Sequence, residues 1–259
     1  MNTLTAVQQD FSPSPPKRLI VKDNDVHIWC ASLDQDPSVL AELLSTLTAD
    51  EREKAARFHF QKDRDHYIIA RGALRDILGR YLVVSARQLR FLYTKFGKPS
   101  LEQKTNSEHL HFNLSHSHGT ALYAVSKNRE VGIDLEYIRE DFASLEIAER
   151  FFSPDEVAML RSLPANLRTR GFFNCWTRKE AYIKGLGEGL SHRLDSFTVS
   201  LIPGEQTSLH IGDDPNDVSH WALVPISFNH SYIAALAVEG TISTTHFWEW
   251  FPSFVTGET

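Results

Sequence analysis

Apolar residues recur along this chain with two periods, and the period separates strands from helices. "DVHIWCASL" (Asp25–Leu33) alternates, with Val26, Ile28 and Cys30 on one face, and predicts a strand. "LTADEREKAARF" opens a helix: Thr48 stands at the N-cap, and Glu51 three residues later completes a capping box. A second helical run covers Arg64–Leu82, and "HLHFNLSHSHGTALYAVS" reads as two strands about a polar turn. In "VGIDLEYI" (Val131–Ile138), Val131, Ile133 and Leu135 form an apolar face, with Gly132, Asp134 and Glu136 on the opposite one.

The pattern then returns. In "RFFSPDEVAMLRSL", Ser153, Asp155 and Glu156 stand as Thr48, Asp50 and Glu51 stood. "RKEAYIKGLG" echoes "RDHYIIARG", matching Tyr182–Ile183 to Tyr67–Ile68, and "NHSYIAALAV" echoes "SHSHGTALYAV". Tyr67 to His116 is 49 residues and Tyr182 to His230 is 48. Three echoes in one order at nearly equal spacing predict an α+β fold built from two similar α/β subdomains. A pseudo-twofold axis would relate them, with a cleft between the halves where ligands bind. The expected organisation is a loosely draped segment over residues 1–24, one subdomain over 25–130, the other over 131–240, and a tail over 241–259. That tail carries "HFWEWFPSF", which either covers the second half's core or reaches a partner.

Composition narrows the function classes. The 259 residues are 42% hydrophobic and 23% charged, with net charge −6, so neither nucleic acid nor a membrane surface is an expected partner. Cys30 and Cys175 form no CxxC pair and read as buried thiols of a reducing compartment. The first ten residues lack an apolar core, and no apolar run approaches the roughly 18 residues of a membrane helix. A cytoplasmic monomer is the expectation.

Asp134 and Glu136, about 7 Å apart on one strand face, repel each other unless a positive charge lies between them. Taken alone, such a pair is a solvated outer face. "FFNCWTRKEAYIKGLGEGL" (Phe172–Leu190) begins as a helix, and Glu180 and Lys184 share the edge of its apolar stripe. An isolated pair four residues apart is a surface ion pair of about 0.3–0.5 kcal/mol. Here it borders the most aromatic stretch of the chain and a glycine-rich end open to a ligand. Three acids with oxygen-only chemistry suit a hard cation, Mg²⁺ first and Mn²⁺ second. Zinc is disfavoured: His111, His116 and His118 fall on both faces of a strand–turn unit with no thiolate near. Lys98 lies in "YTKFGKPSL", where Gly97 and Pro99 set a turn expected to project its ammonium. Ser115 and His116 form a polar knot suited to phosphate oxygens, against the plainer reading of a locally bonded turn. Lys54 reads only as a solvated helix cation.

Together "GKP", "FNLSHS", "VGIDLE" and "FFNCWTRKEAYIKGLGEGL" resemble the 4′-phosphopantetheinyl transferases of the large, pseudo-dimeric class that activates surfactin synthetase. The likeness runs from about Asp25 to Val238 with the motifs in the family's order. It implies an enzyme that moves the phosphopantetheine arm of coenzyme A onto a serine of an apo carrier protein, releasing adenosine 3′,5′-bisphosphate. By the same resemblance Asp134, Glu136 and Glu180 bind magnesium together with the coenzyme's pyrophosphate. Lys98, Ser115 and His116 hold the nucleotide and its phosphates. Lys184 contacts the pyrophosphate and Lys54 the 3′-phosphate. Glu180, directly or through a bound water, would take the serine proton, with Lys184 and His116 counted beside it as catalytic. Where some members carry a further lysine, this chain has Glu51, so the 3′-phosphate contact falls to Arg52 or Arg75 or is weaker. Two rivals remain: a non-catalytic carrier-binding module and a magnesium pyrophosphohydrolase. Between the halves, Leu145, Ala148 and Phe152 recur at helical spacing and form a candidate carrier-docking strip, unless they pack on the second half's core.

Overall fold

The computed structural model describes residues 9–212 and 220–253. The first half runs β1 (Asp25–Ser32), α1 (Pro37–Thr46), α2 (Ala49–Ala56), α3 (Gln61–Leu82), β2 (Phe91–Tyr93), β3 (Pro99–Leu101), β4 (Leu110–Ser117) and β5 (Thr120–Lys127). The second repeats this plan with β6 (Val131–Tyr137), α4 (Leu145–Phe151), α5 (Pro154–Ser162), α6 (Ala165–Leu186), β7 (Phe197–Val199), β8 (Leu209–Ile211), β9 (Trp221–Ile226) and β10 (Tyr232–Glu239). A last strand, β11 (Thr244–Glu249), follows. One sheet has the order β11-β1-β5-β4 and the other β6-β10-β9. The antiparallel β1–β5 pair matches the antiparallel β6–β10 pair. The α+β architecture of two similar halves is therefore as the repeat predicts.

Each sheet buries one face under its own long helix. Trp29 and Tyr123 join Leu74 and Ile77 of α3, while Ala235 and Ala237 join Phe172 and Ile183 of α6. The opposite faces meet in a third core, where Val26, Ile28 and Leu122 pack with Val131, Ile133, Leu135 and Leu236. The alternation in "VGIDLE" thus closes the seam between the halves.

Both capping boxes form, and each is tied to the long helix behind it. The Glu51 carboxylate accepts from the Thr48 amide at 2.9 Å and pairs with Arg71 at 2.6 Å and Arg75 at 2.7 Å. In the second half Glu156 accepts from the Ser153 amide and pairs with Lys179 at 2.8 Å, both side chains fully buried. Buried charges persist only when paired in this way. These hubs set the register of the repeat: Glu51 and Glu156 are 105 residues apart, Arg75 and Lys179 are 104. Tyr67 and Tyr182, 115 apart, are therefore not equivalents. A shared Tyr-Ile pair gave a false match, because helical periodicity repeats about every 11 residues.

Two expectations about the ends need correction. Residues 9–24 are pinned rather than loosely draped: Phe11 packs edge-on against Phe228 and Phe247, and Leu19 and Val21 are buried. Residues 1–8 lie outside the described residues. The aromatic tail joins the first half, where β11 pairs parallel with β1. Beyond the strand, Trp250 is 2% exposed, its indole N–H donates to Asp76 at 2.8 Å, and Asp76 also pairs with Arg80 at 2.6 Å. Phe254 of that tail lies outside the described residues. Both cysteines are free, Cys175 buried and Cys30 partly so.

The C-cap of α3 is Val83, left-handed at φ 54° and 86% exposed. A β-branched residue in that region is strained by about 1–2 kcal/mol, and its side chain gains little packing in return. Val83→Gly should therefore raise unfolding free energy by about 1 kcal/mol in urea titrations. An unchanged or lower value would mean the cap is not under strain.

Candidate active site

Gly132, on β6 between two core residues, makes the site possible. A Cβ there would lie 2.0 Å from the Ala181 carbonyl oxygen and 2.3 Å from the Gly185 nitrogen. The α6 backbone thus rests directly on β6, and Gly185 in turn lies under the Trp221 ring. This contact carries Glu180 and Lys184, one helical turn apart, over Asp134 and Glu136. Gly132→Ala should push the helix off the strand at a cost of about 2–4 kcal/mol. A melt within 2 °C of wild type, roughly below 1 kcal/mol, would show that the contact can yield.

Asp134 is the centre. It is 3% exposed, and its Oδ1 accepts from Lys184 Nζ at 2.6 Å and from Ser115 Oγ of β4 at 2.9 Å. Lys184 also donates to Ser115 Oγ at 2.9 Å. The second carboxylate oxygen, Oδ2, is buried without a hydrogen-bond partner. An orphaned buried carboxylate oxygen is costly, and a cation is the group that relieves it.

The neighbouring acids feel that crowding. Burial first and Asp134 second raise Glu180 from 4.5 to about 7, with Lys184 pulling the other way. Glu136 is raised by burial and by Asp134, opposed by a hydrogen bond at 3.1 Å from Ser117 Oγ. Among the described residues no three His, Cys, Asp or Glu side chains enclose a metal by themselves. A cation relieving Asp134 Oδ2 would therefore draw remaining ligands from water and a bound diphosphate. His116 lies at the exposed rim, its pKa lowered by local desolvation and then by Lys184.

Other expected residues lie elsewhere or are occupied. Lys98 does not project: its ammonium bonds Glu130 at 2.6 Å and the carbonyl oxygens of Gly185 at 2.7 Å and Val131 at 3.3 Å. Glu130 also pairs with His111 at 3.0 Å, and despite burial the two partners hold its pKa down to about 2. Lys98 thus ties the β2–β3 hairpin to the end of α6, a role read by neither the turn nor its charge. His118 stacks on Tyr137 with ring centroids 4.4 Å apart. Arg75 is 1% exposed and committed to Glu51 and the carbonyls of Ala86 and Leu89, so it cannot reach a ligand. Glu51, sealed by two arginines, is a structural hub at the floor of a pocket of about 640 Å³. Lys54, Arg57, Phe58, Tyr67 and Tyr93 line that pocket, and the Lys54 ammonium sits 5.5 Å from the Tyr67 ring centroid. Arg52 is exposed and donates to the Ser45 carbonyl. Of the docking strip, only Leu145 is exposed; Ala148 and Phe152 are buried in the second half's core.

Two residues that the sequence reading passed over also cross the seam. Asn113 Oδ1 accepts from the Ile133 amide at 3.0 Å, and Ser117 Oγ accepts from the Tyr137 amide at 3.1 Å. The signal was present: Asn113, Ser115 and Ser117 alternate with Phe112 and Leu114, which puts three polar side chains on one face of β4.

An acid cluster with a lysine beside it, set between two repeated halves, suits the positioning and charge stabilisation that phosphoryl transfer requires. Two family models divide the chain between them: the N-terminal region of 4'-phosphopantetheinyl transferases over residues 33–128 and the 4'-phosphopantetheinyl transferase superfamily over 130–237. The 4'-phosphopantetheinyl transferase HetI of a Nostoc species is 39% identical over 244 residues, 94% of this chain and 100% of the relative. The enzymes Sfp of Bacillus subtilis and psf-1 of Bacillus pumilus are 33% and 36% identical, over 66% and 67% of this chain and 73% and 72% of their own. The chain belongs to the 4'-phosphopantetheinyl transferase family. It is an enzyme that moves phosphopantetheine from coenzyme A to a carrier protein.

Proposed function

We propose that the reaction runs at Asp134, with Glu136 and Glu180 completing the acidic set and Lys184 and Ser115 at its edge. The observation that carries this is the partnerless Asp134 Oδ2, buried beside Glu180, whose carboxyl is pushed up to about 7 by burial and by Asp134 itself. Asp134, Glu136 and Glu180 would hold Mg²⁺, or Mn²⁺ in its place. When bound, the ion neutralises charge on the diphosphate of coenzyme A. Glu180, directly or through a bound water, takes the proton from the acceptor serine. The serine oxygen bonds to the β-phosphorus, the diphosphate P–O bond breaks, and adenosine 3′,5′-bisphosphate leaves. Lys184 moves from Asp134 to the oxygen on which negative charge develops. His116, at the exposed rim, orients the phosphates, and Ser115 joins it only by turning its hydroxyl from Asp134. Lys54 faces the large pocket as the candidate 3′-phosphate contact, with Arg57 beside it. Lys98 reaches a phosphate only by leaving Glu130, so its main part is to fix the hairpin.

One chain brings both halves of the site together, which fits a monomer, and unpaired thiols fit the cytosol. Among the described residues no helix is long and apolar enough to cross a membrane. Mass spectrometry of apo carrier proteins incubated with coenzyme A, with and without Mg²⁺, tests the reading. One phosphopantetheine added per serine, lost with a chelator, is the expected result. Coenzyme A cleaved without carrier protein would identify a hydrolase, and no consumption at all a binding module.

A further inference from the structure

The strands β4 and β6 are edges of different sheets, yet they lie side by side with no backbone ladder between them. Three β4 side chains take the place of that ladder. Asn113 holds the Ile133 amide, Ser115 holds the Asp134 carboxylate, and Ser117 holds both the Glu136 carboxylate and the Tyr137 amide. The offsets between partners are 19 or 20 residues throughout, so the strands run parallel in fixed register. The three contacts differ in what they hold. Asn113 touches only main chain, whereas Ser115 and Ser117 each bind one oxygen of an acid in the site.

A serine hydroxyl has a single proton. At Ser117 the Tyr137 N–H points at the oxygen from 3.1 Å and occupies a lone pair. The hydroxyl proton is left for Glu136 Oε2, also 3.1 Å away. Its other neighbour, His118 Nδ1, is farther at 3.4 Å. The Glu136 side chain is one methylene longer than that of Asp134, and it stands at the half-buried end of the strand. Without a fixed partner its carboxylate would sample several rotamers. Ser117 selects one, leaving Oε1 for a ligand.

We propose that Ser117 is a positioning residue of the transfer reaction: held by the Tyr137 amide, it fixes Glu136 across the seam so that Glu136 presents one oxygen to a divalent cation beside Asp134. This rests on the metal-binding reading of the acids given above. It assigns Ser117 a task distinct from Asn113, which only holds the halves in register.

Mn²⁺ alone is the probe, titrated into the full chain and followed by the loss of the free-ion electron paramagnetic resonance signal. Ser117→Ala should weaken Mn²⁺ binding about tenfold, while Ser117→Thr, which keeps the hydroxyl, stays within twofold of wild type. Asn113→Ala should lower the thermal midpoint with Mn²⁺ affinity within threefold. At saturating Mg²⁺, Ser117→Ala should lower kcat with KM for coenzyme A unchanged. Should the alanine variant fail to fold, Ser117→Cys keeps the volume with a weak donor and should show the same loss. Unchanged binding in Ser117→Ala, or equal weakening in Asn113→Ala, overturns the proposal. A wild-type chain that binds no Mn²⁺, or that transfers phosphopantetheine undiminished in chelator, overturns the metal-site reading itself, and this inference with it.

Discussion

In an Asp134→Ala variant, phosphopantetheine transfer should fall at least a thousandfold, about 4 kcal/mol of transition-state stabilisation. Asp134 is the acid that Lys184 and Ser115 both address, and its Oδ2 is the buried oxygen left for a ligand. The competing account is a structural ion pair. On that account the variant loses stability because Lys184 is stranded, while activity per folded molecule survives. The Lys184 side chain is 30% exposed, so it can turn to water, and the stability loss should be modest. Measuring kcat/KM at saturating Mg²⁺ beside the thermal midpoint separates the two. A folded variant retaining more than a tenth of wild-type activity would remove Asp134 from the chemistry.

Glu180→Gln should show opposite changes in stability and activity. Burial and Asp134 raise the Glu180 carboxyl from 4.5 to about 7 in the folded chain. A carboxyl group raised on folding stabilises the protein below its unfolded pKa, and that contribution is lost as pH rises through the folded one. Above pH 7 the native protein therefore carries the full cost of an ionised Glu180, about 3 kcal/mol at most. Glutamine has no such cost. In chelator-containing buffer the variant should be more stable than wild type by about 2–3 kcal/mol at pH 8 and nearly equal to it at pH 4.5. Transfer should fall about a hundred- to ten-thousandfold, the usual contribution of a positioned base. Urea titrations at both pH values, with initial rates, test this. A variant no more stable at pH 8 would mean that Glu180 is not strained beside Asp134.

Much of this was legible because it is local. Alternation alone sorts Val131, Ile133 and Leu135 from Gly132, Asp134 and Glu136, and a four-residue interval places Glu180 over Lys184. The capping boxes were legible for the same reason. What the sequence hid depends on partners far along the chain. Lys98 sits in a turn that should expose it, but Glu130, 32 residues later, captures it. Arg75 is a cation by composition and a buried strut in fact, because Glu51 lies beneath it. Nothing near Thr244 shows that its strand will lie beside β1, since a parallel pairing joins residues more than 200 positions apart. Gly132 appears in a legible motif, yet the reason for it, a helix backbone at contact distance, is visible only in three dimensions.

The tail over the first half fills the position that mirrors the proposed site. In the register set by the two glutamate hubs, Asp76 and Arg80 precede Glu180 and Lys184 by 104 residues, and Trp29 precedes Asp134 by 105. An acid and a base thus survive in the mirror position, but an indole stands where the central carboxylate should be. Arg80 lies over that indole at 5.7 Å, and Trp250 reaches in from β11 to bond Asp76. The sister cleft has become a socket for the chain's own end. The two copies of the acid–base pair thus sit in different surroundings: on the proposed reading one answers to substrate, while the other anchors the chain's own end. The same change therefore has two meanings: at Lys184 it is a lesion of chemistry, and at Arg80 a lesion of folding.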